Sequence, residues 1–127
     1  MRKILIIDDE YDIREMLSDF LELKGYKVIL ANNGKEGIEL FKKSVPDAAI
    51  IDIKMPIMNG IESARRMKKI NPDFPILIMT GVLEQYSKEE IFNIGVNDLV
   101  LKPLDILQIE RLLKKYLRKS YRNSISS

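Results

Sequence analysis

The chain contains neither cysteine nor histidine. Without cysteine there is no disulfide, no thiolate metal ligand and no thiol nucleophile. Without histidine the commonest general base and the commonest transition-metal ligand are gone. Carboxylates, hydroxyls, lysine and backbone remain, a donor set that suits a hard cation rather than zinc or copper. No apolar run approaches the roughly 18 residues of a membrane span. The run after Met1-Arg2-Lys3, from Ile4 to Ile7, is too short for the core of a secretory signal. A cytoplasmic protein is the expectation. Neither sign of charge dominates: 21 basic and 19 acidic residues leave +2, which points to no nucleic acid and no membrane as partner.

What is present suits one globular domain. The 127 residues are 46% hydrophobic and 31% charged, enough apolar material for a single core. Five short apolar runs stand out: Ile4–Ile7, Val28–Ala31, Ala48–Ile51, Ile76–Met79 and Leu99–Leu101. They are rich in Ile and Val and do not alternate cleanly, as in strands buried on both faces of a parallel sheet. Helical stripes lie between and after them. Ile13, Met16, Leu17, Phe20 and Leu21 form the first, stopped by Gly25. Ile38 and Phe41, then Ile61, Ala64, Met67 and Lys68, then Ile91 and Ile94 mark the next three. Leu107, Leu112, Leu113, Tyr116 and Leu117 belong to the last. Asn33/Glu36, Asn59/Glu62, Ser87/Glu90 and Asp105/Gln108 each place a capping side chain three residues before Glu or Gln at a helix start. The predicted class is α/β: strand and helix alternate five times, giving a doubly wound five-stranded parallel sheet with helices on both faces. The domain is expected over residues 1–119, with 120–127 a frayed polar tail.

Ligands of open parallel sheets bind at the carboxyl ends of the strands. The first predicted strand is followed by Asp8, Asp9 and Glu10, the third by Asp52, the fourth by Thr80 and Gly81, and the fifth by Lys102 and Pro103. Carboxylates gathered at one edge are costly: two about 4 Å apart repel by roughly 4 kcal/mol at an effective dielectric near 20. A divalent cation relieves that repulsion, and all-oxygen ligands suit Mg²⁺. A metal, a lysine and an oxygen nucleophile are the parts of phosphoryl transfer, with Asp52 as the group that becomes an acyl phosphate. Taken singly, each signal has a plainer reading. Asp8-Asp9 can cap a helix, Asp52 and Lys102-Pro103 can be turn residues, Thr80 a strand-end hydroxyl and Gly60 turn chemistry. The methionines at 55, 58, 67 and 79 read as core or loop filler.

Together, Ile4-Leu5-Ile6-Ile7-Asp8-Asp9-Glu10, Asp52-Ile53-Lys54-Met55-Pro56 with Asn59-Gly60, Thr80-Gly81 and Lys102-Pro103 resemble the receiver domain of two-component response regulators. The resemblance covers roughly residues 2–119 and implies a flavodoxin-like (βα)5 fold with strand order 2-1-3-4-5. It implies Asp52 as phosphoacceptor, and Asp8, Asp9, Asp52 and the Lys54 backbone carbonyl around Mg²⁺. Thr80 and Lys102 become the phosphoryl-binding pair, with a cis peptide before Pro103. The donor becomes a phosphohistidine on a sensor histidine kinase or histidine phosphotransfer protein, and the role that of a signalling module rather than a metabolic enzyme.

Three departures from the family pattern bear on output. Leu99 stands where many receivers carry an aromatic switch residue. Lys54 and Val82 occupy positions that tune phosphoryl lifetime, and an apolar Val82 cannot orient a water, so a moderately long-lived phosphoryl group is expected. No output domain follows the fifth helix, which suggests a stand-alone receiver, a monomer or weak phosphorylation-dependent dimer, docking to an unknown downstream protein or passing phosphate onward. The cations from Arg111 to Arg122 read first as a solvated helix face, and alternatively as a contact for an acidic partner. Three other readings stand beside this one. A haloacid-dehalogenase-type hydrolase needs a second acid where Lys54 stands and a cap insertion. A receiver-shaped module that is not phosphorylated predicts a missing site residue. A piece of a DNA-binding regulator is the third.

Overall fold

The computed structural model describes residues 2–55, 58–81 and 86–126, with side chains described through Arg118. The five apolar runs form β1 (Lys3–Ile7), β2 (Lys27–Ala31), β3 (Ala48–Asp52), β4 (Ile76–Thr80) and β5 (Asp98–Leu101). Between and after them run α1 (Tyr11–Leu23), α2 (Gly34–Ser44), α3 (Gly60–Ile70), α4 (Lys88–Asn93) and α5 (Ile106–Ser126). Every strand pair is parallel, in the order β2-β1-β3-β4-β5. This is the expected doubly wound topology, which reverses direction beside β1.

The missing alternation in the strands has its reason in two cores. Leu5 and Ile7 face one cluster with Ile38 and Phe41 of α2, Ile61, Ala64 and Met67 of α3, and Ile91 of α4. Ile4 and Ile6 face the other, with Leu17 and Leu21 of α1 and Ile109, Leu113 and Leu117 of α5. Both pleat faces of β1, β3 and β4 are thus dry, so apolar residues are needed at every position.

All four predicted caps are present. Asn33 Oδ1 accepts from the Glu36 amide, Asn59 Oδ1 from Glu62, Ser87 Oγ from Glu90 and Asp105 Oδ1 from Gln108. Gly25 ends α1 at φ +92, with the Tyr26 amide bonded back to the Leu21 carbonyl at 3.0 Å. Some stripe assignments need correction. Met16 and Leu107 are exposed, 36% and 61%. In α5 the buried row is Ile109, Leu113 and Leu117, at intervals of four, and Leu107 lies off it. Lys68 is half-buried on its stem, its ammonium donating to the Pro72 carbonyl and Asn97 Oδ1. The helix α5 also continues to Ser126, past residue 120 where a frayed tail was expected. No glycine or proline between 106 and 126 supplies a backbone stop.

Candidate functional site

The carboxyl ends of β1, β3, β4 and β5 converge on a small acidic hollow. Asp8, Asp52 and Thr80 are almost fully buried, 0%, 4% and 3% exposed. Parallel register explains the gathering: Ile7 pairs with Ile51, Asp52 with Met79 and Thr80 with Leu101, so the residues at the end of each strand and just past it share one edge. The Lys102 amide donates to the Thr80 carbonyl at 2.9 Å, holding the last strand end against the fourth. The Lys102-Pro103 peptide is cis.

Lys102 is the hub. Its Nζ lies 3.4 Å from Asp52 Oδ1, 3.5 Å from Glu10 Oε1 and 3.7 Å from Asp8 Oδ2. Sequence alone assigns Glu10 no role here. Its position directly after the acid pair was the available signal. The loop after β1 is pinned twice: Arg14 Nη1 donates to the Asp8 carbonyl at 2.7 Å, and the Glu10 amide donates to Asp8 Oδ1 at 2.8 Å. No side chain caps α1 itself.

One lysine does not neutralise this collection. Burial, then the nearby Asp8 charge, push the Asp52 carboxyl up to about 6 despite the opposing pull of Lys102. Burial also raises Asp8, against the Glu10 amide and Lys102, which lower it. Burial works against the Lys102 ammonium, but Asp52, Asp8 and Glu10 together hold its pKa above the ordinary lysine value.

The donor set fits a hard cation. Asp8 Oδ2 is buried and has no hydrogen-bond partner. One oxygen each from Asp8, Asp9 and Glu10 lies within 4.8 Å of the others. A buried carboxylate oxygen that has the Lys102 ion pair but no hydrogen bond, beside two exposed carboxylates and with no nitrogen or sulfur ligand, suits Mg²⁺ with several retained waters. Lys54 lies two residues beyond Asp52 and is exposed. Leu99 is partly buried against the α2–α4 side of the core. Val82 and Pro56 lie outside the described residues.

Gly60 is more than turn chemistry. It is the first residue of α3, its amide donates to the Ile53 carbonyl at 2.9 Å, and a Cβ there would sit 2.0 Å from the Asp52 carbonyl oxygen. Only glycine lets α3 start this close to the strand that carries Asp52.

The sequence profile described as "Response regulator receiver domain" matches residues 4–115. The chain belongs to this family. Receiver sequences similar to it include the sporulation initiation phosphotransferase F of Bacillus subtilis, 38% identical over 115 residues that make up 91% of this chain and 93% of that protein. The chemotaxis protein CheY of Thermotoga maritima is 34% identical over 115 residues, 90% of this chain and 96% of its own. Among solved structures, the response regulator TrrA of Thermotoga maritima, in complex with Mg²⁺-BeF, superposes with a TM-score of 0.83 at 31% identity, covering 91% of this chain and 99% of that one. The chain spans 26% of one longer curated regulatory protein that it matches and 49% of another. As a receiver domain, it accepts a phosphoryl group and passes on a two-component signal. Receivers bind Mg²⁺ at the acidic pocket.

Proposed function

We infer that Asp52 is the phosphoacceptor of this receiver, drawing its phosphoryl group from a phosphohistidine on a sensor kinase or phosphotransfer protein in the cytoplasm. The carrying observation is a buried Asp52 carboxylate 3.4 Å from Lys102 Nζ, with a second buried carboxylate, Asp8, on the same ammonium. Asp52 Oδ attacks phosphorus, the P–N bond of the donor breaks, and an acyl phosphate forms while the imidazole leaves with the electron pair. Asp52 must be ionised to attack, and at neutral pH a carboxyl held at about 6 still is.

Lys102 then moves its contact from Asp52 Oδ1 to a phosphoryl oxygen, and Asp8 and Glu10 keep it over the hollow meanwhile. Thr80, at the next strand end, offers a hydroxyl to a second oxygen. Asp8 and Asp9, with Asp52 and the Lys54 carbonyl, are the residues that would hold Mg²⁺. When bound, the ion supplies charge neutralisation for the phosphoryl oxygens. In this reading the domain is a switch or relay and not a metabolic enzyme; residues 1–119 carry the activity, and the described cations of α5, Arg111, Lys114, Lys115 and Arg118, face solvent.

Acetyl phosphate with Mg²⁺, read by intact mass, tests the assignment. Wild type gains one phosphoryl group and Asp52→Asn gains none. Equal labelling of the two proteins refutes it.

A further inference from the structure

The hydrogen-bond network around Asn59 reaches from the acceptor strand to α4. Gly60 fixes the start of α3 to Asp52 and Ile53 by backbone contact, so the two cannot slide past each other. Asn59, one residue earlier, is held on three sides. Its Oδ1 caps the Glu62 amide at 2.9 Å, and its carbonyl accepts from Ser63 Oγ at 3.0 Å and the Ser63 amide at 3.1 Å. That leaves its Nδ2 directed away from α3, where it donates to the Tyr86 hydroxyl at 3.3 Å, 27 residues along the chain. Tyr86 immediately precedes Ser87, the N-cap of α4.

Tyr86 also has somewhere to go. Its ring packs on the same apolar cluster as Ile94 and Leu99. Beside it lies an open groove of about 540 Å³ between α3 and α4, bordered by Ile61, Arg65, Lys68, Glu90 and Ile94. The helix it adjoins is only six residues long and buries a single side chain, Ile91, so moving it disturbs little packing. Leu99, on β5, has neither ring nor hydroxyl with which to make such a link. A single long hydrogen bond on one side and an open groove on the other leave the ring room for a second arrangement, which a switching element requires.

We propose that the Asn59–Tyr86 hydrogen bond is the link through which the state of Asp52 reaches α4 in this receiver. The inference rests on the reading of Asp52 as phosphoacceptor. A shift of the Asp52–Ile53 backbone moves Gly60 and Asn59 with it, and the tie then either carries Tyr86 and the start of α4 along or releases the ring into the groove.

The test uses Mg²⁺ and beryllofluoride as the phosphoryl mimic. Fluorine NMR reports occupancy of the site, and amide hydrogen exchange reports α4. In wild type a bound fluoride resonance appears and exchange in α4 changes. Tyr86→Phe removes the hydroxyl and keeps the ring. Asn59→Ser keeps an acceptor for the Glu62 amide but is too short to reach Tyr86. In both variants the bound resonance persists, while the α4 response shrinks by about fivefold, the lower end of a typical coupling factor. A full-sized α4 response in Tyr86→Phe with the resonance present overturns the link, as does a wild-type α4 indifferent to beryllofluoride. Absence of the bound resonance from wild type overturns the assignment of Asp52 itself, and this inference with it.

Discussion

Replacing Asp52 by asparagine should make the metal-free domain more stable. In the fold its carboxyl is raised from 3.8 to about 6. A shift of roughly two pKa units corresponds to about 3 kcal/mol of disfavoured charge, with the attraction of Lys102 already included. The sign follows from linkage. A carboxyl raised in the folded state contributes its full stability below the unfolded value, and that stability is lost as pH rises through about 6. At neutral pH the wild type therefore carries the deficit and an uncharged amide of the same shape does not. Lys102 keeps Asp8 and Glu10 as partners in the variant. For a domain of this size about 3 kcal/mol corresponds to a rise in Tm on the order of 10 °C. Urea unfolding followed by circular dichroism, in EDTA, should show the full gain near about pH 7.5 and little of it near about pH 4. A variant less stable than wild type at neutral pH, or an equal gain at both, would refute the claim that buried charge is stored at this site.

Four further outcomes follow from the same structure. Mg²⁺ at about 100 times its Kd should stabilise wild type by ~2.7 kcal/mol, and thermal melts of Asp8→Asn should lack that gain because the buried anionic carboxylate is gone. Gly60→Ala puts a methyl group 2.0 Å from the Asp52 carbonyl oxygen, so urea melts should show a loss of about 1–3 kcal/mol together with slower labelling by acetyl phosphate. Val45 is a β-branched residue at φ +48 and is 74% exposed, so Val45→Asn should raise stability by roughly 1 kcal/mol in the same assay. Burial, then the hydrogen bond to Asp98, push the Tyr116 phenol up to about 12. Its contribution is complete below the unfolded value of 10.0 and is lost as pH rises toward about 12; in urea melts the stability of Tyr116→Phe should fall less steeply there than that of wild type.

The sheet was legible because its strands are dry on both faces, which forces runs such as Ile4–Ile7 and Ile76–Met79 that no surface element would carry. Helix starts were legible because their caps are local: Asn33, Asn59, Ser87 and Asp105 act within three residues. The site residues were legible because each ends or directly follows a strand, and parallel register then gathers them. What escaped was non-local. Nothing near Glu10 announces Lys102 as its partner, 92 residues away. The need for glycine at position 60 comes from the Asp52 carbonyl, and the partner of Asn59 Nδ2 from a tyrosine that adjoins another helix. Ile109 was passed over in favour of Leu107 because periodicity alone does not say which phase of α5 meets the sheet.

The hub lysine has a consequence for biosynthesis. Lys102 sits just past β5, the edge strand, which pairs with β4 alone. On a ribosome the acids of β1 and β3 are made before Lys102, the cation that among the described residues pairs with both Asp8 and Asp52. The hollow is then all negative, the state that most disfavours an ionised Asp52. A nascent receiver should therefore be a poor phosphoryl acceptor until its last strand docks.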